Sequence, residues 1–178
     1  MKEWTTCDKT KWPEHGPWTN EPDKVQWVDP LTNLDCLAVR ASSHWCGYVG
    51  VPEGHPLFKR SYSACLAHPQ CGDDDGYCYD HTPQAKLEVH GGITFSGACQ
   101  PLKDPAEGIC HVPEPGRPEV WWFGFDCAHC DDYRPSTSFE SYEIALKYPL
   151  AHQGEYRDLS YVQEEVRSLA KQLKDFKL

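Results

Sequence analysis

The sequence predicts an α+β fold, a mostly antiparallel sheet with a C-terminal amphipathic helix packed on it and long irregular loops. Two observations carry this. The runs CLAVR (36–40), CGYVGV (46–51) and VWWFGFD (120–126) are short, rich in β-branched and aromatic residues, and bounded by Pro, Gly or polar residues. Leu159, Val162, Val166, Leu169, Leu173 and Phe176 recur at helical spacing with Glu, Gln, Arg and Lys between them. A chain of 178 residues suits one domain spanning 1–178, whose folding buries roughly 70% of the surface its unfolded form exposes.

The elements follow in order. Residues 1–34 carry Trp4, Trp12, Trp18 and Trp27 without a period, and read as an irregular Trp/Pro-rich arm that packs its rings onto the domain. Strands are expected within 36–51, and Pro52 and Pro56 end them. Residues 61–83 form a Cys/His-rich excursion. KLEVH (86–90) alternates in strand fashion, Gly91 and Gly92 interrupt it and ITFSGAC resumes, so 86–99 reads as two strands around a glycine bend. A proline-rich loop, 101–118, leads to the strand 119–126, which should turn Trp121, Phe123 and Phe125 to one face and Trp122, Gly124 and Asp126 to the other. The helix, 155–176, is capped by Asp158 or Ser160. Its stripe covers the sheet or pairs with a second subunit as a homo-oligomer.

With 17 basic and 27 acidic side chains the formal charge is −10, so the footprint of a general DNA or RNA binder is missing and no long nucleic acid is expected. A small anion remains compatible, because local donors act inside the ~8 Å screening length. The opening MKEWTTCDKTKW has no apolar signal region and no stretch suits a membrane span. A cytoplasmic location is therefore expected, where the ten cysteines stay reduced.

Four constellations could carry chemistry. Asp126 and His129, with Asp132 close behind, end a strand; such a pair can orient an imidazole or hold a metal, or merely bond loop amides. Beside them Trp122 above Gly124 would make a ligand-stacking shelf. His90 precedes Gly91 and Gly92, whose amides could cradle an anion with Thr94 adding a hydroxyl. WCGYVGVPEGHPLF (45–58) is a stiff loop presenting Tyr48, Glu53 and His55. Finally, Cys65, His68, Cys71, Cys78 and His81 offer enough soft donors for a structural zinc ion, with Cys65, Cys71, Cys78 and His81 as the first choice.

WCGYVGVPEGHPLF, CYDHTPQAKLEVHGGITFSG, WWFGFDCAH followed by Asp132, and YVQEEVRSLAKQL together resemble a family of small proteins of tailed phages and their bacterial hosts, over most of residues 27–176. That family usually has glycine where this chain has Asp131. The resemblance brings no assigned activity; it implies a phage-type accessory protein, a class that often manipulates nucleotides or the nucleotide signals of bacterial immunity.

The leading functional expectation is a phosphodiesterase-type hydrolase of a small nucleotide-like ligand in the cytoplasm of the bacterial host. The base would stack on Trp122 or Tyr48 and the phosphate would sit on Gly91 and Gly92. His90 and His129 would serve as acid and base with Asp126 orienting His129; a metal held by His and Asp is a variant. The alternatives are a non-catalytic sponge that sequesters the same ligand, and an acidic protein that inhibits a host enzyme by direct binding.

Overall fold

The computed structural model describes residues 1–67, 76–100, 104, 106, 108–111, 119–148 and 153–178. Its centre is a six-stranded antiparallel sheet of order β1-β2-β3-β4-β6-β5. The strands are β1 (Lys2–Trp4), β2 (Lys24–Val28), β3 (Asp35–Ala41), β4 (His44–Pro52), β5 (Phe95–Ala98) and β6 (Val120–Asp126). Among the described residues three α-helices accompany it: a single turn α1 (Pro83–Lys86), then α2 (Phe139–Lys147) and α3 (Leu159–Asp175). Among the described residues no helix is long and apolar enough to cross a membrane.

The alternation along β6 sorts two cores. Phe123 and Phe125 face α3, where Val162, Val166, Leu169 and Leu173 are fully buried, while Trp122 joins Leu37, Cys46, Tyr48 and Val120 on the opposite face. The helix stripe is thus consumed by the sheet of its own chain and is not left for a second subunit. The approach is close: a Cβ on Gly47 would lie 2.5 Å from Phe125 Cζ and 2.6 Å from Val166 Cγ2. Asp158 starts α3, its Oδ1 accepting from Tyr161 N at 2.8 Å.

Three expectations are corrected. The arm is not wholly irregular, since it supplies β1 and β2, although Trp12 and Trp18 do bury their rings. Asp23 locks it down: this buried carboxylate accepts from Lys9 Nζ at 2.6 Å, Arg40 Nε at 3.1 Å and Thr6 N at 2.7 Å. Glu21 beside it accepts from Arg40, Trp45 and Tyr156, and from the Leu159 amide at 2.9 Å. The stretch 86–90 is not a strand; it leaves α1 as loop, and the Gln172 side chain takes both backbone groups of Glu88, Oε1 accepting from its N at 2.8 Å and Nε2 donating to its O at 2.7 Å. Finally, α2 lies where no element was expected, capped by Ser138.

Candidate functional site

A polar cluster gathers where β6 ends, the glycine turn passes and α3 begins. The turn after β6 is closed by Asp132 N donating to the His129 carbonyl at 3.1 Å, and Asp132 Oδ2 accepts from the His129 amide at 2.9 Å. The same oxygen lies 2.7 Å from His90 Nε2 and 3.4 Å from His129 Nδ1. Oδ1 accepts from Arg157 Nε at 3.0 Å. Backbone pairing of Tyr133 and Asp131 with Glu155 brings Arg157 to this place.

Asp132 is 1% exposed, His90 13% and His129 35%, so solvent reaches His129 most easily. Burial pushes the Asp132 pKa up, but hydrogen bonds from His90, the His129 amide and Arg157 outweigh it and hold the group below the usual carboxylate value. His90 is fixed from its other side as well, Nδ1 lying 3.0 Å from the Tyr161 hydroxyl. His129 is freer. Its buried Nδ1 is close to Asp132 but not aligned as a hydrogen bond, and Nε2 lies 4.0 Å from Asp126 Oδ1.

Gly91 shows why the turn carries glycine. Its φ is +65°, and a Cβ there would enter the His129 ring. Gly92, at φ +86°, has open space around the same position. The His129 ring therefore rests on the Gly91 backbone, and the ring centroids of His90 and His129 come within 5.3 Å.

Sequence reading placed His90, His129, Asp126 and Thr94 together, and the structure does so too. Thr94 Oγ1 donates to Asp126 Oδ2 at 3.0 Å. The orienting role moves, however: Asp126 is occupied by Thr94 and the Ala128 amide, and Asp132 is the carboxylate nearest His129. The anion cradle is also revised. Gly92 N is spent on the Val89 carbonyl at 3.0 Å, and the His90 amide donates to Glu165 Oε2 at 2.8 Å. A carboxylate of the protein already faces that turn.

The aromatic shelf is not there. Trp122 is fully buried, its Nε1 bonded to Cys99 Sγ at 3.3 Å, and Tyr48 is packed edge-on against Phe95 above Gly124. Both belong to the sheet's far face because β-strand alternation turns them away from the histidines. His55 is structural, with Nδ1 accepting from Leu57 N at 3.1 Å and Nε2 donating to the Leu173 carbonyl at 2.8 Å near the end of α3. Of the expected zinc ligands, Cys65 and Cys78 are buried and His81 is exposed; Cys71, like His68, lies outside the described residues.

No protein-family model, curated protein or solved structure matches the chain. The local geometry therefore carries the functional reading.

Several partners were missed from sequence. Tyr161 and Glu165 stand four residues apart on α3, a spacing that places them on one flank of the helix, and Arg157 precedes its N-cap Asp158. Arg157 also lies 4.9 Å over the Tyr161 ring. A polar cavity of about 290 Å³ opens at the same end of the sheet, lined by Ser43, His44, Arg134, Ser136, Thr137 and Ser141. Ser136 Oγ is buried with no hydrogen-bond partner, and Arg134 makes no hydrogen bond or ion pair among the described residues. His44, whose pKa burial lowers, stands in the field of Asp126 and Asp132 and joins the two features.

His90, His129 and Asp132 also offer three donor atoms within 4.8 Å of one another. Two imidazoles and a carboxylate are a donor set for a first-row divalent ion.

Proposed function

We propose that the protein hydrolyses a small phosphodiester, with His129 as general base and Asp132 as the group that orients it. The observation that carries this is that the partly exposed His129 ring lies against a buried carboxylate, its Nδ1 3.4 Å from Asp132 Oδ2. A small ring rotation that aligned this contact as a hydrogen bond would hold the proton on Nδ1 and leave Nε2 able to accept one. In the reaction Nε2 takes a proton from water, the water oxygen bonds to phosphorus, the bond to the leaving oxygen breaks, and that oxygen is protonated from solvent. His90, held between Tyr161 and Asp132, is assigned a positioning role in place of direct acid catalysis.

The anionic part of the substrate would sit in the adjoining cavity against the exposed Arg134 and the buried, unpartnered Ser136 hydroxyl. The likeness to tailed-phage proteins suggests a nucleotide signal of bacterial immunity as substrate and the host cytoplasm as the place of action. In a second reading the misaligned Nδ1 of His129, with His90 and Asp132, ligates a divalent cation that activates the water.

The test is incubation of the protein with cyclic dinucleotides and ADP-ribose derivatives, with and without chelator, followed by heat release of anything bound. Cleaved product that falls about 10²- to 10⁴-fold in His129→Ala supports acid–base catalysis. Loss of cleavage in chelator moves the reading to the metal. Intact ligand recovered from denatured protein means sequestration, and neither binding nor cleavage removes both readings in favour of an acidic protein that binds a host enzyme.

A further inference from the structure

On the sheet face opposite His90 and His129, a second group of donors converges that has no part in the proposed reaction. Cys99 follows the end of β5, and Gln100 N donates to the Ile109 carbonyl at 3.0 Å. That bond holds the chain after β5 against the segment that carries Cys110. His111 follows directly. The two sulfurs and one imidazole nitrogen lie within 4.8 Å of one another.

We infer that Cys99, Cys110 and His111 form a binding site for a thiophilic d¹⁰ cation of the zinc class, with one coordination position left open.

Geometry and chemistry support this. Ligand atoms sharing one zinc ion sit roughly 3.3 to 3.8 Å apart, as follows from Zn–S and Zn–N lengths of about 2.3 and 2.0 Å. Cys99 Sγ already lies 3.8 Å from His111 Nδ1, so small side-chain rotations close the rest. His111 is only 6% exposed, yet its Nε2 is buried without a hydrogen-bond partner among the described residues. Among the described residues the ring's one hydrogen-bond partner is Cys99 Sγ at Nδ1, the contact that a cation shared by the two side chains would replace.

The surroundings are built for the same task. Trp122 Nε1 donates to Cys99 Sγ at 3.3 Å, the kind of bond that holds a thiolate ligand in place. Lys24, fully buried, donates to the carbonyls of Gly108 at 3.0 Å and Cys110 at 2.7 Å, which anchors the segment carrying two of the three donors. Two thiolates would cancel the charge of a divalent ion held there.

The sequence does not advertise the site, because Cys110 and His111 lie inside the proline-rich loop 101–118 while Cys99 precedes it. It is separate from the ligands expected around Cys65 and Cys78.

The experiment is an anaerobic titration of the reduced, metal-free full chain with Co²⁺, followed by Zn²⁺. One equivalent of Co²⁺ should give a thiolate-to-metal absorption band that one equivalent of Zn²⁺ bleaches. Cys99→Ser and Cys110→Ser should each abolish the band, Cys65→Ser should keep it, and Trp122→Phe should weaken Zn²⁺ binding about 10- to 100-fold. Should the serine variants misfold, Zn²⁺ should instead protect Cys99 and Cys110 of the wild-type chain from alkylation, read by peptide mass spectrometry. A band that survives both serine substitutions, or a wild-type chain with neither band nor protection, overturns the site.

Discussion

His90 Nε2 and Asp132 Oδ2 lie 2.7 Å apart, and this bond joins the glycine turn before β5 to the turn after β6. Asp132 is the hub: it also bonds the His129 amide and Arg157. Asp132→Asn keeps the shape but removes the charge beside His129 Nδ1. If His129 is the base, turnover should fall by about 10²-fold or more in a variant whose circular dichroism is unchanged.

The pH dependence of stability follows from the same bonds. Asp132, Glu21 and Asp23 each have a folded-state pKa below the ordinary value, burial opposing and hydrogen bonds dominating. Their contribution is therefore complete above the unfolded carboxylate pKa of about 4 and is lost as pH falls through the lower folded values. Urea midpoints should be flat through neutral pH and drop steeply below about pH 4. The drop should be shallower in Asp132→Asn.

Gly91 and Gly92 make opposite demands although both have positive φ. Gly92→Ala meets open space and costs only backbone strain of about 1 to 2 kcal/mol. Gly91→Ala adds a methyl inside the His129 ring. It should lower the melting temperature further and shift the His129 imidazole resonances, while Gly92→Ala leaves them in place.

Asp23 holds Lys9 and Arg40 in the interior. Asp23→Ala strands the buried Lys9 ammonium and leaves Arg40 with Glu21 as its carboxylate partner, and should cost about 3 to 5 kcal/mol in chemical denaturation. Exposed Asp8, paired with Lys11 at the surface, is the control: Asp8→Ala should leave the denaturation midpoint almost unchanged.

Much of this was legible in the letters, for physical reasons. β6 sorts its aromatics because strand alternation has a period of two, and α3 keeps its stripe because each apolar position meets the sheet. The arm's strand β2 was hidden because it begins with Lys24, whose ammonium is buried on backbone carbonyls that sequence cannot show. The stretch 86–90 misled in the opposite way. Leu87 and Val89 do turn toward the core, but the strand partner is replaced by the side chain of Gln172. His90, Asp126 and His129 were visible as residues. That Asp132 outranks Asp126 depends on a closed turn and an arginine 25 positions away, which no spacing rule contains.

Glu21 and the Leu159 amide meet across 138 positions of chain. During synthesis the arm therefore leaves the ribosome long before the helix start it must hold, and its carboxylate waits with Arg40 and Trp45 until Tyr156 and Leu159 emerge. Closing so distant a pair costs more chain entropy than closing the local hairpin β3–β4.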